Sequence, residues 1–185
     1  MVLLASKRVI TIRHMAASEL ERIGEIDRTE HVTREYLQRG DSLESRTVDV
    51  RVPTWSRSGD GEHSVQANVR AWRPILADSG TLVGAFEGDT LAGVAMYRPR
   101  LARDLANLAV LHVSASHRRK GVGSLLFAEV ARLARVDGAR RLYVSATPSG
   151  SAVGFYRSLG FEPTREPNEE LFALEPADIH MILDL

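Results

Sequence analysis

Apolar residues recur along this chain with two different periods, and the switches between them mark out its elements. From Val9 to Met15, Ile10, Ile12 and His14 alternate with Val9, Thr11 and Arg13, the two-residue period of a strand. Ala16 to Ile26 takes up helical spacing, with Leu20, Ile23 and Asp27 along one side. Gly24 weakens that helix, because a mid-helix glycine costs roughly 1 kcal/mol against alanine. The pattern fades between Arg28 and Gly61, where a short alternation of Val48, Val50 and Val52 stops at Pro53. Ser56-Arg57-Ser58-Gly59-Asp60-Gly61 reads as a flexible loop. Val65, Val69 and Trp72 return to helical spacing until Pro74 ends or kinks the helix.

Further on the pattern sharpens. Thr81–Phe86 and Leu91–Tyr97 predict two strands around the turn Glu87-Gly88-Asp89, and Asp104–Val113 predicts a third. A helix then runs to about Val136, with Val122, Leu125, Leu126, Val130 and Leu133 inward and Arg132 and Arg135 outward. Asp137-Gly138 closes it, glycine being favoured just past a helix end. Leu142–Ser145 is another strand, and Ala152, Phe155, Tyr156 and Leu159 form a helical stripe. Ile179, Met181, Leu183 and Leu185 alternate with His180, Ile182 and Asp184 in a final strand. With no internal repeat or low-complexity linker, residues 1–185 are expected to form a single α+β domain.

Composition removes several functions. The apolar fraction of 44% suits a globular core and argues against disorder. Lys plus Arg equals Asp plus Glu at 24 each, so no overall field recruits nucleic acid or an anionic membrane. There is no cysteine, which excludes disulfides, thiolate metal sites and a cysteine nucleophile. The six histidines are scattered without a His-x-x-x-His pair, so no metal is expected. Met1-Val2-Leu3-Leu4-Ala5 is too short for a signal peptide or anchor, and a cytoplasmic protein is the expectation.

Candidate chemistry is concentrated between Leu108 and Leu159. A strand ending Leu111-His112-Val113 turns through the basic glycine loop Arg118-Arg119-Lys120-Gly121-Val122-Gly123 into a helix beginning near Ser124. The first amides of a helix lack intrahelical acceptors and sit at the positive end of its dipole, which makes an anion site. Glycines there let a phosphate approach the backbone. The order of residues differs from a nucleotide-triphosphate loop, because Lys120 precedes Gly121 and no Gly-Lys-Ser/Thr follows.

Two blocks in this stretch resemble the GCN5-related N-acetyltransferases (GNAT superfamily). Leu111-His112-Val113-Ser114-Ala115-Ser116-His117-Arg118-Arg119-Lys120-Gly121-Val122-Gly123 is similar to the family's acyl-CoA motif. Ser149-Gly150-Ser151-Ala152-Val153-Gly154-Phe155-Tyr156, with Gly160-Phe161 downstream, is similar to the motif that follows it, with Ser149 where the family often has asparagine. One helix and one strand separate them, as that fold requires. The resemblance implies a mixed, mostly antiparallel central sheet flanked by helices, with two central strands splayed apart. Residues 104–161 would be the acyl-CoA-binding core and 28–79 the acceptor side.

The resemblance also implies roles. Acetyl-CoA would lie with its pantetheine arm beside main-chain groups of Leu111 and Val113 and its pyrophosphate on the amides from Arg119 to Ser124. Arg118, Arg119 and Lys120 would add charge there, with Gly121, Val122 and Gly123 forming the turn. Ser149 would cap the following helix, and Phe155 would pack with an edge toward the cofactor. Tyr156 would be the catalytic residue that protonates or stabilises the departing thiolate. No general base is evident. Asn107, Ala109 and Leu111 read as one face of the entering strand and are not bases, while His112 reads as a hydrogen-bonded structural histidine on the other face. Glu30, His31, Glu62 and His63 are weaker candidates.

Two functions stand on this reading: transfer of acetyl from acetyl-CoA to a primary amine, small molecule or peptide, by direct attack in a ternary complex, or acyl-CoA sensing without turnover. Arg46, Arg51, Arg57, Arg70 and Arg73 read better as solvated surface than as an acceptor site. The edge strands of this fold, and Trp55 and Trp72 if exposed, would support a homodimer.

Overall fold

The computed structural model describes residues 9–61 and 63–185. Strand β1 (Ile10–Met15) leads into a 3-10 segment, Ala17–Glu25, where the spacing predicts an α-helix. The difference has a visible cause. Leu20, Ile23 and Ile26 are all buried and recur every three residues, the repeat of a 3-10 helix, and Gly24 packs against Val65.

The weakly patterned stretch that follows is a long antiparallel hairpin, β2 (Glu30–Arg39) and β3 (Ser42–Val52). Its two-residue turn is Gly40-Asp41, with Gly40 at a φ of +62° as a type II′ turn requires at its first position. The predicted second helix is α1 (Val65–Ala77), with Ser64 accepting from the Ala67 amide as its N-cap and Pro74 carried in the last turn.

The remainder comprises β4 (Thr81–Glu87), β5 (Thr90–Ala102), β6 (Leu105–Val113), α2 (Val122–Val136), β7 (Arg141–Ala146), α3 (Gly150–Ser158), β8 (Glu162–Pro163), α4 (Glu169–Leu174) and β9 (Ile179–Asp184). A seven-stranded sheet runs in the order β1-β4-β5-β6-β7-β9-β8. Its neighbours are antiparallel except β6 and β7, which are parallel and joined by the crossover helix α2. This is the mixed, helix-flanked α+β sheet expected.

Two cores cover the sheet. On one side α2 and α3 bury Val122, Leu126, Val130, Val153 and Tyr156 against Val83, Leu108, Leu142 and Val144. On the other, the 3-10 segment and α1 bury Leu20, Ile23 and Val69 against Leu82, Val94 and Val110. Leu125, expected inward, is 45% exposed, so the buried stripe of α2 runs through Val122, Leu126 and Val130 instead.

Candidate active site

Strands β6 and β7 pair only at Leu105–Arg141, Ala106–Leu142 and Asn107–Tyr143. Both strands continue, β6 to Val113 and β7 to Ala146, but beyond Asn107 no residue pairs between them. The sheet therefore opens into a wedge at its centre, and backbone groups along the wedge lack a neighbouring strand.

A bulge fixes what faces this wedge. Met96 pairs with Val110 but Tyr97 with Leu108, so Ala109 is an extra residue in β6. Strict alternation would put Asn107, Ala109 and Leu111 together with His112 opposite. The inserted residue reverses the parity instead. Leu111 and Val113 pack toward α2 and α3, whereas Val110 and His112 turn to the side of α1. Asn107, at the point of the wedge, is buried and its Oδ1 has no hydrogen-bond partner among the described residues.

Beyond β6 the chain makes a short 3-10 turn, Ala115–His117, and then the glycine loop. Arg119 and Gly121 both take positive φ, at 58° and 84°, and turn successive amides outward before α2 begins. Among the described residues, the amides from Arg119 to Ser124 donate to no protein acceptor; the first bond of the helix is Leu125 N–H to the Gly121 carbonyl. Six consecutive unpaired amides at a helix start form a cradle for an anion.

The three basic side chains of the loop are placed differently from one another. Arg118 turns inward: its Nε donates to the Val113 carbonyl at 3.0 Å and its Nη1 to the Thr29 carbonyl at 2.8 Å. It braces the turn after the first 3-10 segment against the end of β6, a junction also joined by Asp27 N–H to Ser114 Oγ at 3.0 Å. Lys120 Nζ donates to the Ser116 carbonyl at 2.7 Å. Arg119 makes no side-chain bond among the described residues and projects into solvent.

Helix α3 reaches this cradle from the far side of the wedge. Ser149 caps it, accepting from the Ala152 amide at 3.2 Å, so serine serves where an asparagine was expected to be usual. A Cβ at Gly123 would lie 3.2 Å from the Phe155 ring and 3.8 Å from Val113, so glycine there lets α2, α3 and β6 converge. Tyr156 follows Phe155 and packs edge-on against Phe155 and Phe161, at ring-centroid distances of 5.3 and 5.5 Å. Its side chain is buried, yet its hydroxyl bonds to no described residue and is not sealed from solvent. Burial, with the charge of Asp178 adding to it, holds the phenol proton on well above the ordinary tyrosine range.

The candidate bases scatter. Glu30 lies at the mouth of the wedge, accepting from Ser151 Oγ at 2.5 Å. His31 is out on the hairpin, paired with Asp49 at 2.6 Å. His63 contacts Arg28, and Glu62 lies outside the described residues. Among the described residues His112 has no hydrogen bond; it lies edge-on to Trp55 and stacks on Trp72, and burial lowers its pKa to about 4. Trp55 is thus buried rather than exposed, while Trp72 is half-buried. Arg46 and Arg70 are paired with Glu35 and Asp60.

Besides the bulge, two features were not legible in the sequence. One is the inward brace of Arg118. The other is a cavity of about 380 Å³ between β2, the loop after β7, and the segment from Thr164 to His180. Tyr36, Pro148, Phe172 and Asp178 line it. The strict alternation of β9 could have placed Asp178 at a strand start, but nothing in its sequence context marks a site.

Among the described residues no cluster of His, Asp and Glu could hold a metal ion, and no helix is long and apolar enough to cross a membrane. Residues 46–161 match the Acetyltransferase (GNAT) family. No curated protein matches the chain. Among solved structures, a nourseothricin acetyltransferase is similar over 95% of this chain and 98% of its own, with 18% identity and a TM-score of 0.67. The PaiA N-acetyltransferase of Thermoplasma acidophilum, in complex with coenzyme A, is similar over 96% and 99%, with 16% identity and a TM-score of 0.62. The ribosomal-protein-S18-alanine N-acetyltransferase of Escherichia coli is similar over 95% and 94%, with 16% identity and a TM-score of 0.60.

Proposed function

This chain belongs to the Acetyltransferase (GNAT) family, and on that footing we propose that it transfers acetyl from acetyl-CoA to a primary amine by direct attack in a ternary complex. The observation that carries the proposal is the convergence of three features on one wedge: six unpaired amides, a gap between β6 and β7, and the unbonded hydroxyl of Tyr156. The cradle suits a pyrophosphate, and the open strand edges suit the amide groups of a pantetheine arm. Acetyl-CoA supplies an activated thioester. The protein's part is to orient it, exclude water and manage protons.

In this reading the amides of Arg119 to Ser124 hold the pyrophosphate, and Gly121 and Gly123 keep the approach open. Leu111 and Val113 border the pantetheine arm. The Val113 carbonyl is already taken by Arg118, so the contacts on that side fall mainly to Leu111 and the Val113 amide. Of the basic residues, Arg119 is the one whose side chain can turn to a phosphate without breaking an existing bond. Tyr156 donates to the sulfur as the carbon–sulfur bond breaks. The apolar surroundings that raise the phenol act equally on a thiolate formed beside it, so the proton transfer remains feasible. A non-catalytic acyl-CoA sensor would have no use for that hydroxyl.

The reading puts the protein in the cytoplasm, where acetyl-CoA and amines meet, with residues 104–161 as donor site and 28–79 contributing to the acceptor side. Thermal melting with and without acetyl-CoA tests it, followed by thiol release with amines. A rise in melting temperature with saturating acetyl-CoA supports the proposal. No shift at millimolar concentration contradicts it.

A further inference from the structure

Asp178 stands immediately before β9, at the rim of the cavity that adjoins the wedge. Among the described residues its carboxylate has no hydrogen bond and no ion pair. The other charged groups around the cavity are engaged: Arg46 with Glu35 at 2.5 Å, and Arg165 with Asp41 at 2.7 Å. The cavity walls supplied by Tyr36, Pro148, Pro167 and Phe172 are largely apolar. A half-buried, unpaired carboxylate in such walls complements a cation. The next residue, Ile179, pairs with Ala146 at the unpaired end of β7, so Asp178 stands beside the mouth of the wedge, and its charge adds to the burial that raises the Tyr156 phenol.

The segment carrying Asp178 is held in place. Its amide donates to the Glu175 carbonyl at 3.1 Å. His180 Nε2 lies 3.2 Å from the same carbonyl, and its Nδ1 lies 2.8 Å from the Tyr143 hydroxyl. A neutral His180 satisfies both contacts by donating to the carbonyl and accepting from the tyrosine. Burial lowers its pKa, so it is fixed as a positioning group.

We propose that Asp178 is the catalytic base: it binds the ammonium of the acceptor and accepts its proton. This rests on the function proposed above. The ammonium nitrogen gives one proton to Asp178, which passes it to water. The amine lone pair forms the bond to the thioester carbonyl carbon. The carbon–sulfur bond then breaks, Tyr156 protonates the departing sulfur, and the second proton on nitrogen returns through water to the tyrosine oxygen. The sum is one acetamide, one CoA thiol and one proton released.

The groups facing Asp178 set its pH response. Glu175 on its own segment is a like charge, Tyr156 on α3 and His180 on β9 are neutral, and Glu35, Arg46 and Arg165 are paired. Burial, reinforced by Glu175, raises the carboxyl to about 7. The base form is then lost below that pH, giving kcat/KM an acid limb.

The test uses the full chain with acetyl-CoA and three probe amines: tyramine, spermidine and an alanine-initiated tripeptide. Wild type is expected to release thiol with at least one, with an acid limb near 7. Asp178→Asn should lower kcat/KM by about 100-fold or more and flatten the limb, leaving acetyl-CoA affinity unchanged; Asp178→Glu should recover part of the rate. Without turnover, Asp178→Asn should melt higher than wild type at about pH 8 but not at about pH 4, since a raised carboxyl pKa costs stability only as pH climbs toward it. Wild-type kcat/KM or an intact acid limb in Asp178→Asn overturns the proposal. So does acetyl-CoA binding by the wild type with no transfer to any probe. Failure to bind acetyl-CoA would instead overturn the function on which the proposal rests.

Discussion

Replacing Tyr156 with phenylalanine removes one oxygen from a site whose packing is otherwise retained. The ring keeps its edge contacts with Phe155 and Phe161, and the hydroxyl leaves no described partner behind. The stability change should therefore be small, within about 0.5 kcal/mol. Catalysis should suffer far more, because a positioned acid is worth about 100- to 10,000-fold. At about 1.36 kcal/mol per decade this is roughly 3–5 kcal/mol of transition-state stabilisation. Thiol release measured with a disulfide reagent suits the assay, since the chain has no cysteine to give background. The expected outcome is a kcat lowered by that factor with acetyl-CoA affinity and melting temperature nearly unchanged. An unchanged kcat would remove Tyr156 from the mechanism, and a large loss of stability would make it a core residue.

Arg118→Ala should lower stability by about 1–3 kcal/mol in denaturant unfolding, because it removes charged donors from carbonyls at a half-buried junction. Arg119→Ala should leave stability alone and reduce the salt dependence of acetyl-CoA binding by calorimetry. Asn107→Leu removes an unpaired buried oxygen, so it should melt at the same temperature or a few degrees higher while kcat/KM with an amine falls. An activity loss that merely tracks instability would contradict a role for Asn107 at the wedge. His112 has its folded pKa lowered from 6.5 to about 4, so the unfolded chain binds its proton first as pH falls. That contribution is complete above about 6.5 and shrinks toward about 4, by up to about 3 kcal/mol. His112→Phe should unfold with a flatter dependence across that window, and an unaltered slope would show that His112 titrates normally.

The parts of the fold that could be read from the chain are those where one face is buried. The strands from Thr81 to Val113 and helix α2 have apolar residues at the spacing their cores demand, and their boundaries agree closely with the structure except that β5, read to Tyr97, continues to Ala102. The β2–β3 hairpin escaped because most of its residues face solvent and only Val48, Val50 and Val52 alternate. Its signal was the local one, Gly40-Asp41 between Arg39 and Ser42, a two-residue turn that fixes the register without any hydrophobic pattern.

The site divides in the same way. Gly121, Gly123, Ser149, Phe155 and Tyr156 are motif residues: Gly121 turns the chain into α2, Gly123 meets Phe155 where α2 and α3 converge, Tyr156 packs beside Phe155, and Ser149 caps α3. The bulge at Ala109 was hidden, since an inserted residue looks like any other in an alternating strand, and it reversed the facing of Asn107 relative to Leu111. Arg118 was expected at the phosphate because charge beside a glycine loop suggests an anion contact. In the structure it is held by the Val113 carbonyl, five residues away, and by the Thr29 carbonyl from a segment remote in sequence.

The central claim is that the wedge and its amide cradle bind acetyl-CoA. Calorimetric titration of the protein with acetyl-CoA, alongside free CoA, tests it most directly. The account predicts one site of micromolar affinity for each, since both carry the pyrophosphate that the Arg119–Ser124 amides would hold. No heat of binding with either ligand at millimolar concentration would mean that the glycine loop is only a turn.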